Sequence, residues 1–274
     1  MSNEVPCRKC KLLVIAISNY DGEASLDGVE AGLELLRKSR FYQQDCEVIE
    51  CINSAATELG IVEQIKAWIG RMEGSGPEQV HTCIFLGHGV NVHGLSCMVT
   101  VDKKLIPIWD LYNHLCQKHS LSVALFFDCC QCPPDGVLSE PNRGLFRYEA
   151  ARAGWCDRSQ IRLSISSSPG QYAEDASVAR RYSSYISELV QSLDGCDWWE
   201  EVFHCVSMAV DATGSQTPFC VGHAIWQRIQ RSSPRELSFD SSELGAMSNE
   251  VQCRNLPEQA FSRSPQALME ATNS

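Results

Sequence analysis

The 274-residue chain carries a formal net charge of −11 at pH 7, which argues against a general nucleic-acid binder or an anionic-membrane binder, because either presents a basic face. No stretch approaches the ~18 uninterrupted apolar residues of a membrane-spanning helix. The length suits one α/β domain of about 200–250 residues plus a tail. Most of the 15 cysteines, among them Cys46, Cys51, Cys83, Cys97, Cys116 and Cys205, sit inside apolar patterns, where they act as small hydrophobes kept reduced. Residues 1–6 have neither the basic region nor the apolar run of a secretory signal, so the chain is expected to be soluble and cytoplasmic. Cys7 and Cys10 have the spacing of half a zinc site, and half a tetrahedral ligand set predicts no metal.

Strand and helix signals alternate, the pattern of a parallel sheet with crossover helices. Residues 11–18 (KLLVIAIS) predict a first strand, and 27–39 a helix with Val29, Leu33 and Leu36 on one face. Residues 46–52 form a second strand. Residues 57–73 give the clearest helix, with Ile61, Ile65, Trp68, Ile69 and Met72 in one stripe. A strand over 83–86 then ends at Gly87-His88-Gly89, and a hairpin follows through 96–101. Pro107 opens a helix carrying Ile108, Leu111, Tyr112 and Leu115 on one face. The apolar run Val-Ala-Leu-Phe-Phe from 123 predicts a strand that carries Asp128, Cys129 and Cys130 at its end. Residues 131–160 are irregular, with helical character over 145–153, and 161–168 form a fifth strand. Helices over 177–193 and 198–212 precede a short strand from Thr217, which Pro218 assigns to a sheet edge.

The organisation is therefore a short N-terminal segment (1–10), one domain (11–228) and a polar tail (229–274) with the composition of a disordered segment. Residues 247–254 repeat residues 1–8 with one difference, Gln252 in place of Pro6. Eight residues are too few for a solenoid-type repeat, and a partial duplication accounts for them better than a function.

The chemistry concentrates at two strand ends. C-terminal strand ends are where an open α/β sheet collects ligands and catalytic groups. His88 at one end and Cys130 at another can form a nucleophile–base dyad, in which the imidazole activates the thiol. Gly89 permits close backbone approach, and its N–H can serve an oxyanion site. Cys129 is the competing nucleophile. Alternation along a strand sends neighbouring side chains to opposite faces, so only one of the two can meet His88.

These residues, in this order, resemble the caspase-like cysteine peptidases, the clan of caspases, metacaspases and paracaspases. The resemblance runs from about residue 11 to residue 226. Leu86-Gly87-His88-Gly89 is similar to the clan's Ser/Ala-Gly-His-Gly, and Asp128-Cys129-Cys130 to the Asp-x-Cys of metacaspases and paracaspases. The spacing from His88 to Asp102 is paracaspase-like. Ser167-Ser168-Pro169-Gly170-Gln171-Tyr172-Ala173 is similar to the segment after the fifth strand, and residues 206–218 to the closing Val-x-x-x-Val…Thr-Gly-x-Gln-x-Pro. The resemblance implies a three-layer sandwich, with a mostly parallel six-stranded sheet between helices. It also implies cysteine endopeptidase activity, with Cys130 as nucleophile, His88 as base, and the backbone N–H groups of Gly89 and Cys130 at the oxyanion.

By the same resemblance, Asp128 and Asp175 are acids of a first pocket that takes Arg or Lys. A third acid of the metacaspase and paracaspase pattern is missing, because Leu26-Asp27-Gly28 leads to Gly32 where that pattern has Asp; Glu30 stands nearby as a substitute. Residues 90–101 contain no Asp or Glu, so the acidic calcium loop of many metacaspases is not expected. Arg143, Arg147, Arg152 and Arg158 fall in the clan's linker and are candidate self-cleavage sites or a solvated basic segment. No cofactor is called for. Protein or peptide substrates are the expected partners, with neither nucleic acid nor membrane, and a homodimer is an assembly open to the chain. The alternative is a catalytically weak scaffold acting through protein–protein contacts, which Gly32 and Leu86 favour.

Overall fold

Apolar residues run without interruption through 12–17, 83–86 and 123–127, where both faces of the sheet are covered. The computed structural model describes residues 9–20, 25–118, 121–133, 140–142, 145–146, 159–173, 181–214 and 216–231. The central sheet contains β1 (Cys10–Ala16), β2 (Cys46–Ile52), β3 (Val80–Leu86), β7 (Ser122–Asp128), β8 (Gln160–Ile165) and β9 (Phe219–Gly222). Their order is β2-β1-β3-β7-β8-β9, and only β9, at the edge, runs antiparallel. A three-stranded antiparallel sheet of β4 (Gly89–Val92), β5 (Leu95–Val99) and β6 (Leu105–Pro107) follows β3. The six-stranded, mostly parallel sheet between helices is the expected class.

Alternate residues of each strand supply two cores. Leu13, Ile15, Phe85, Leu125 and Phe127 pack with α2 (Glu58–Met72) and α3 (Ile108–Cys116) on one face. Leu12, Val14, Ile84, Ala124 and Phe126 pack on the other with α1 (Asp27–Lys38), α4 (Ser184–Gly195) and α5 (Trp199–Asp211). The stripe expected along α2 is buried throughout, and the Trp68 indole N–H donates to the Lys11 carbonyl at 2.9 Å. Thr57 caps α2 by accepting the Gly60 N–H at 3.1 Å.

Several boundaries differ from the sequence reading. The strand of 123–130 ends at Asp128, so Cys129 and Cys130 lie past the ladder, and the fifth strand ends at Ile165, where Ser166 and Ser167 turn to side-chain bonding. The helix expected over 177–193 begins at Ser184, with Ser183 as its cap. Strand β6 was not foreseen: three residues that include Pro107 are too few to show alternation. At the far end of the domain, Ile229 is buried and Arg231 pairs with the buried Asp45 at 3.3 Å. Residues 232–274 and the linker arginines lie outside the described residues. No helix among the described residues is long and apolar enough to cross a membrane.

Candidate active site

Strands β3 and β7 are neighbours, and Leu86 is in register with Asp128. His88 and Cys130 each stand two residues beyond that pair, at adjacent strand ends. The Gly87 N–H extends the contact by donating to the Asp128 carbonyl at 3.2 Å. Both His88 and Cys130 are half-buried and line a cavity of about 120 Å³ together with Gly87, Asp128 and Ala173. Leu26, Gly28 and Val29 from the start of α1, Ser183 and Ile186 from the start of α4, and Leu86 and Cys129 at the strand ends complete its wall.

Parity separates the two cysteines. Cys129 continues the odd-numbered face of β7 into the core and is 2 % exposed, and burial pushes its thiol well up from its ordinary range. Cys130 turns to the cavity, where its sulfur accepts the Ala173 backbone N–H at 3.3 Å. The peptide at Cys129 is held by the residues that follow β8: its N–H donates to Ser166 Oγ at 3.0 Å, and its carbonyl accepts from Ser167 Oγ at 3.0 Å. Gln131 ties the next residues to the segment after β8, donating its N–H to Gln171 and accepting from the Gly170 N–H, at 2.9 and 2.8 Å. The cysteine turn is thus fixed by the segment that follows β8.

The histidine has its own support in Tyr20, which the sequence reading did not single out. The Tyr20 hydroxyl accepts the His88 backbone N–H at 2.9 Å and donates to the Val99 carbonyl at 3.3 Å. Its ring lies against the imidazole, with centroids 4.6 Å apart. Gly87 allows this approach, because a Cβ there would stand 2.8 Å from the Tyr20 hydroxyl.

Gly89 begins β4 and faces the cysteine turn. The Val99 N–H donates to the His88 carbonyl at 3.0 Å, whereas the Asn91 N–H donates outward to the Cys132 carbonyl at 2.8 Å. Alternation in an antiparallel ladder puts the Gly89 N–H on the same outward side as that of Asn91. A Cβ on Gly89 would lie 2.6 Å from the Cys130 carbonyl oxygen, so only glycine lets the two strand ends approach this closely.

Asp128 points to the α1/α4 side, where the Ser183 hydroxyl donates to its Oδ2. Asp175 lies outside the described residues. Gly32 is buried, and a Cβ there would stand 3.0 Å from Ile186 Cγ2; the place where the metacaspase and paracaspase pattern has an acid is filled by an α4 side chain. Glu30 is exposed and is not part of the cavity wall. Cys129 and Cys132 also have C-x-x-C spacing, but no cluster of three or more metal-binding side chains exists among the described residues.

A mostly parallel sheet between helices, with a histidine and a cysteine at adjacent strand ends, defines a caspase-like fold. Solved structures agree. A protein from Geobacter sulfurreducens superposes with a TM-score of 0.58 at 16 % identity, covering 82 % of this chain and 98 % of its own. Caspase-1 from Spodoptera frugiperda superposes with a TM-score of 0.53 at 13 % identity, covering 81 % of this chain and 89 % of its own. No protein-family model matches the sequence, and no curated protein matches it either. The chain has a caspase-like fold.

Proposed function

We propose that this protein is a cysteine endopeptidase that cleaves proteins after Arg or Lys. The observation that supports the reading is that His88 and Cys130, each two residues past the last β3–β7 pair, line one cavity together with Asp128. Cys130 Sγ attacks the scissile carbonyl carbon as His88 takes the thiol proton. The backbone N–H groups of Gly89 and Cys130 face the oxygen that becomes negative, a contribution of about 3 kcal/mol per donor in comparable sites. Collapse breaks the C–N bond, and His88 returns the proton to the leaving amine. Water, deprotonated by His88, then hydrolyses the thioester and releases the acid and the free thiol. Asp128 supplies the charge that pairs with a basic side chain before the cleaved bond, and Asp175 is its proposed companion.

Gly32 favours a second reading, a catalytically weak scaffold acting through protein contacts, because the acid of the basic-selective pattern is replaced by glycine packed under Ile186. Fluorogenic peptides with Arg, Lys or Asp before the cleaved bond, assayed on the wild type and Cys130→Ala, separate the two. The peptidase reading expects turnover of the Arg and Lys peptides that Cys130→Ala abolishes. Absence of Cys130-dependent turnover throughout supports the scaffold. Activity that survives Cys130→Ala and is lost in Cys129→Ala overturns the choice of nucleophile.

A further inference from the structure

Ser183 touches the specificity carboxylate and the first turn of a helix with one hydroxyl. Its Oγ accepts the Ile186 backbone N–H at 3.1 Å, capping α4, and its proton goes to Asp128 Oδ2. A hydroxyl has one proton to donate and two lone pairs, so serine or threonine can fill both roles at once. Aspartate or asparagine caps a helix equally well, but an aspartate has no proton for Asp128. The local choice of residue therefore answers to Asp128 as well as to the helix. Ser183 is 6 % exposed, and its frame is rigid: the Tyr185 hydroxyl meets Ser164 Oγ at 2.8 Å, and Ile186 closes on Gly32. Asp128 is the one acid lining the cavity among the described residues, so its orientation bears on any cationic group that enters.

From this geometry we infer that Ser183 is a positioning residue for substrate selection: it holds the Asp128 carboxylate toward the basic side chain of the substrate. The inference rests on the peptidase reading above and goes beyond it by assigning the group through which α4 controls specificity. Ser183 acts through Asp128 and not on the reacting bond, so its removal affects KM and leaves kcat in place.

The test uses the full chain, in wild-type form and as Ser183→Gly and Ser183→Thr, with Arg and Lys fluorogenic peptides. Glycine at a cap position preserves most of the helix stability, and the lost hydrogen bond to Asp128 is expected to lower the Tm of Ser183→Gly by about 3–8 °C with the fold intact. Its KM for both peptides is expected to rise about tenfold, the loss of one hydrogen bond to a charged group, with kcat within about twofold. Ser183→Thr, which caps and donates, is expected to restore the wild-type KM. An unchanged KM in Ser183→Gly, with the wild type active, overturns this inference and leaves the peptidase reading intact. A fall in kcat alone, or failure of threonine to rescue, assigns Ser183 to the helix only and also overturns it. A wild type that cleaves neither peptide overturns the basic-specificity reading together with the inference.

Discussion

Replacing Gly89 with alanine tests whether the two strand ends are held as closely as the site requires. The added Cβ would meet the Cys130 carbonyl oxygen at 2.6 Å, Cys129 Sγ at 2.7 Å and Cys129 Cβ at 2.8 Å. Neither side can yield freely. The cysteine turn is pinned by Ser166 and Ser167, and β4 by the His88–Val99 and Asn91–Cys132 backbone bonds. Overpacking of this kind costs about 1–3 kcal/mol, which for a domain of this size lowers Tm by about 3–10 °C. Relief comes by parting the turn from β4, and a misplacement of about 1 Å between reacting groups costs on the order of a hundredfold in rate. The assays are thermal unfolding and kcat/KM on an Arg peptide, with Gly70→Ala as control. Gly70 lies in α2 with no heavy atom within 4 Å of the added carbon, so that change should stabilise by about 0.5–1 kcal/mol and leave activity unaltered. A Gly89→Ala protein with wild-type Tm and wild-type kcat/KM would refute the reasoning.

Two further perturbations address the support of the site and the sheet beneath it. Tyr20→Phe keeps the ring against His88 but removes the acceptor for the His88 N–H and the donor to Val99. It should lower kcat about tenfold with little change in KM and cost about 1–2 kcal/mol of stability, read by steady-state kinetics and urea unfolding; an unchanged kcat would remove Tyr20 from the account. His81 is fully buried in β3, with Nδ1 accepting the Lys11 N–H at 3.2 Å and Nε2 unpartnered, and burial first, then the Lys11 charge, push its pKa down to about 4. The fold holds the neutral imidazole, so this contribution is complete above the unfolded value near 6.5 and is lost as pH falls toward 4. Denaturant unfolding should show the wild type losing about 2–3 kcal/mol more than His81→Asn between pH 7 and pH 4.5, and equal losses would contradict that assignment.

The sheet was legible because strands buried on both faces are apolar throughout, and the site because reactive residues interrupt two such runs. The preference for Cys130 over Cys129 came from the resemblance to the Asp-x-Cys motif, alternation implying only that one of the two can meet His88; the odd-numbered face of β7 carries Cys129 into the core although both residues lie beyond the ladder. Tyr20 and Ser183 were not legible. Each acts through a contact 68 or 55 residues away in the chain, made by side chains that are ordinary in their local patterns. Gly89 was chosen for its N–H, whereas its steric role depends on how closely β4 passes the cysteine turn. The absence of an acid at Gly32 was visible in the sequence; that Ile186 fills the space was not.

Covalent capture of the nucleophile tests the central claim most directly. The wild type, Cys130→Ala, Cys129→Ala and His88→Ala are each incubated with a peptidyl acyloxymethyl ketone bearing Arg next to the warhead, and the adduct is located by peptide mass mapping. The account predicts one adduct, on Cys130, formed in the wild type and Cys129→Ala, absent in Cys130→Ala and strongly slowed in His88→Ala. An adduct on Cys129, or labelling of Cys130 that proceeds equally fast without His88, would contradict it.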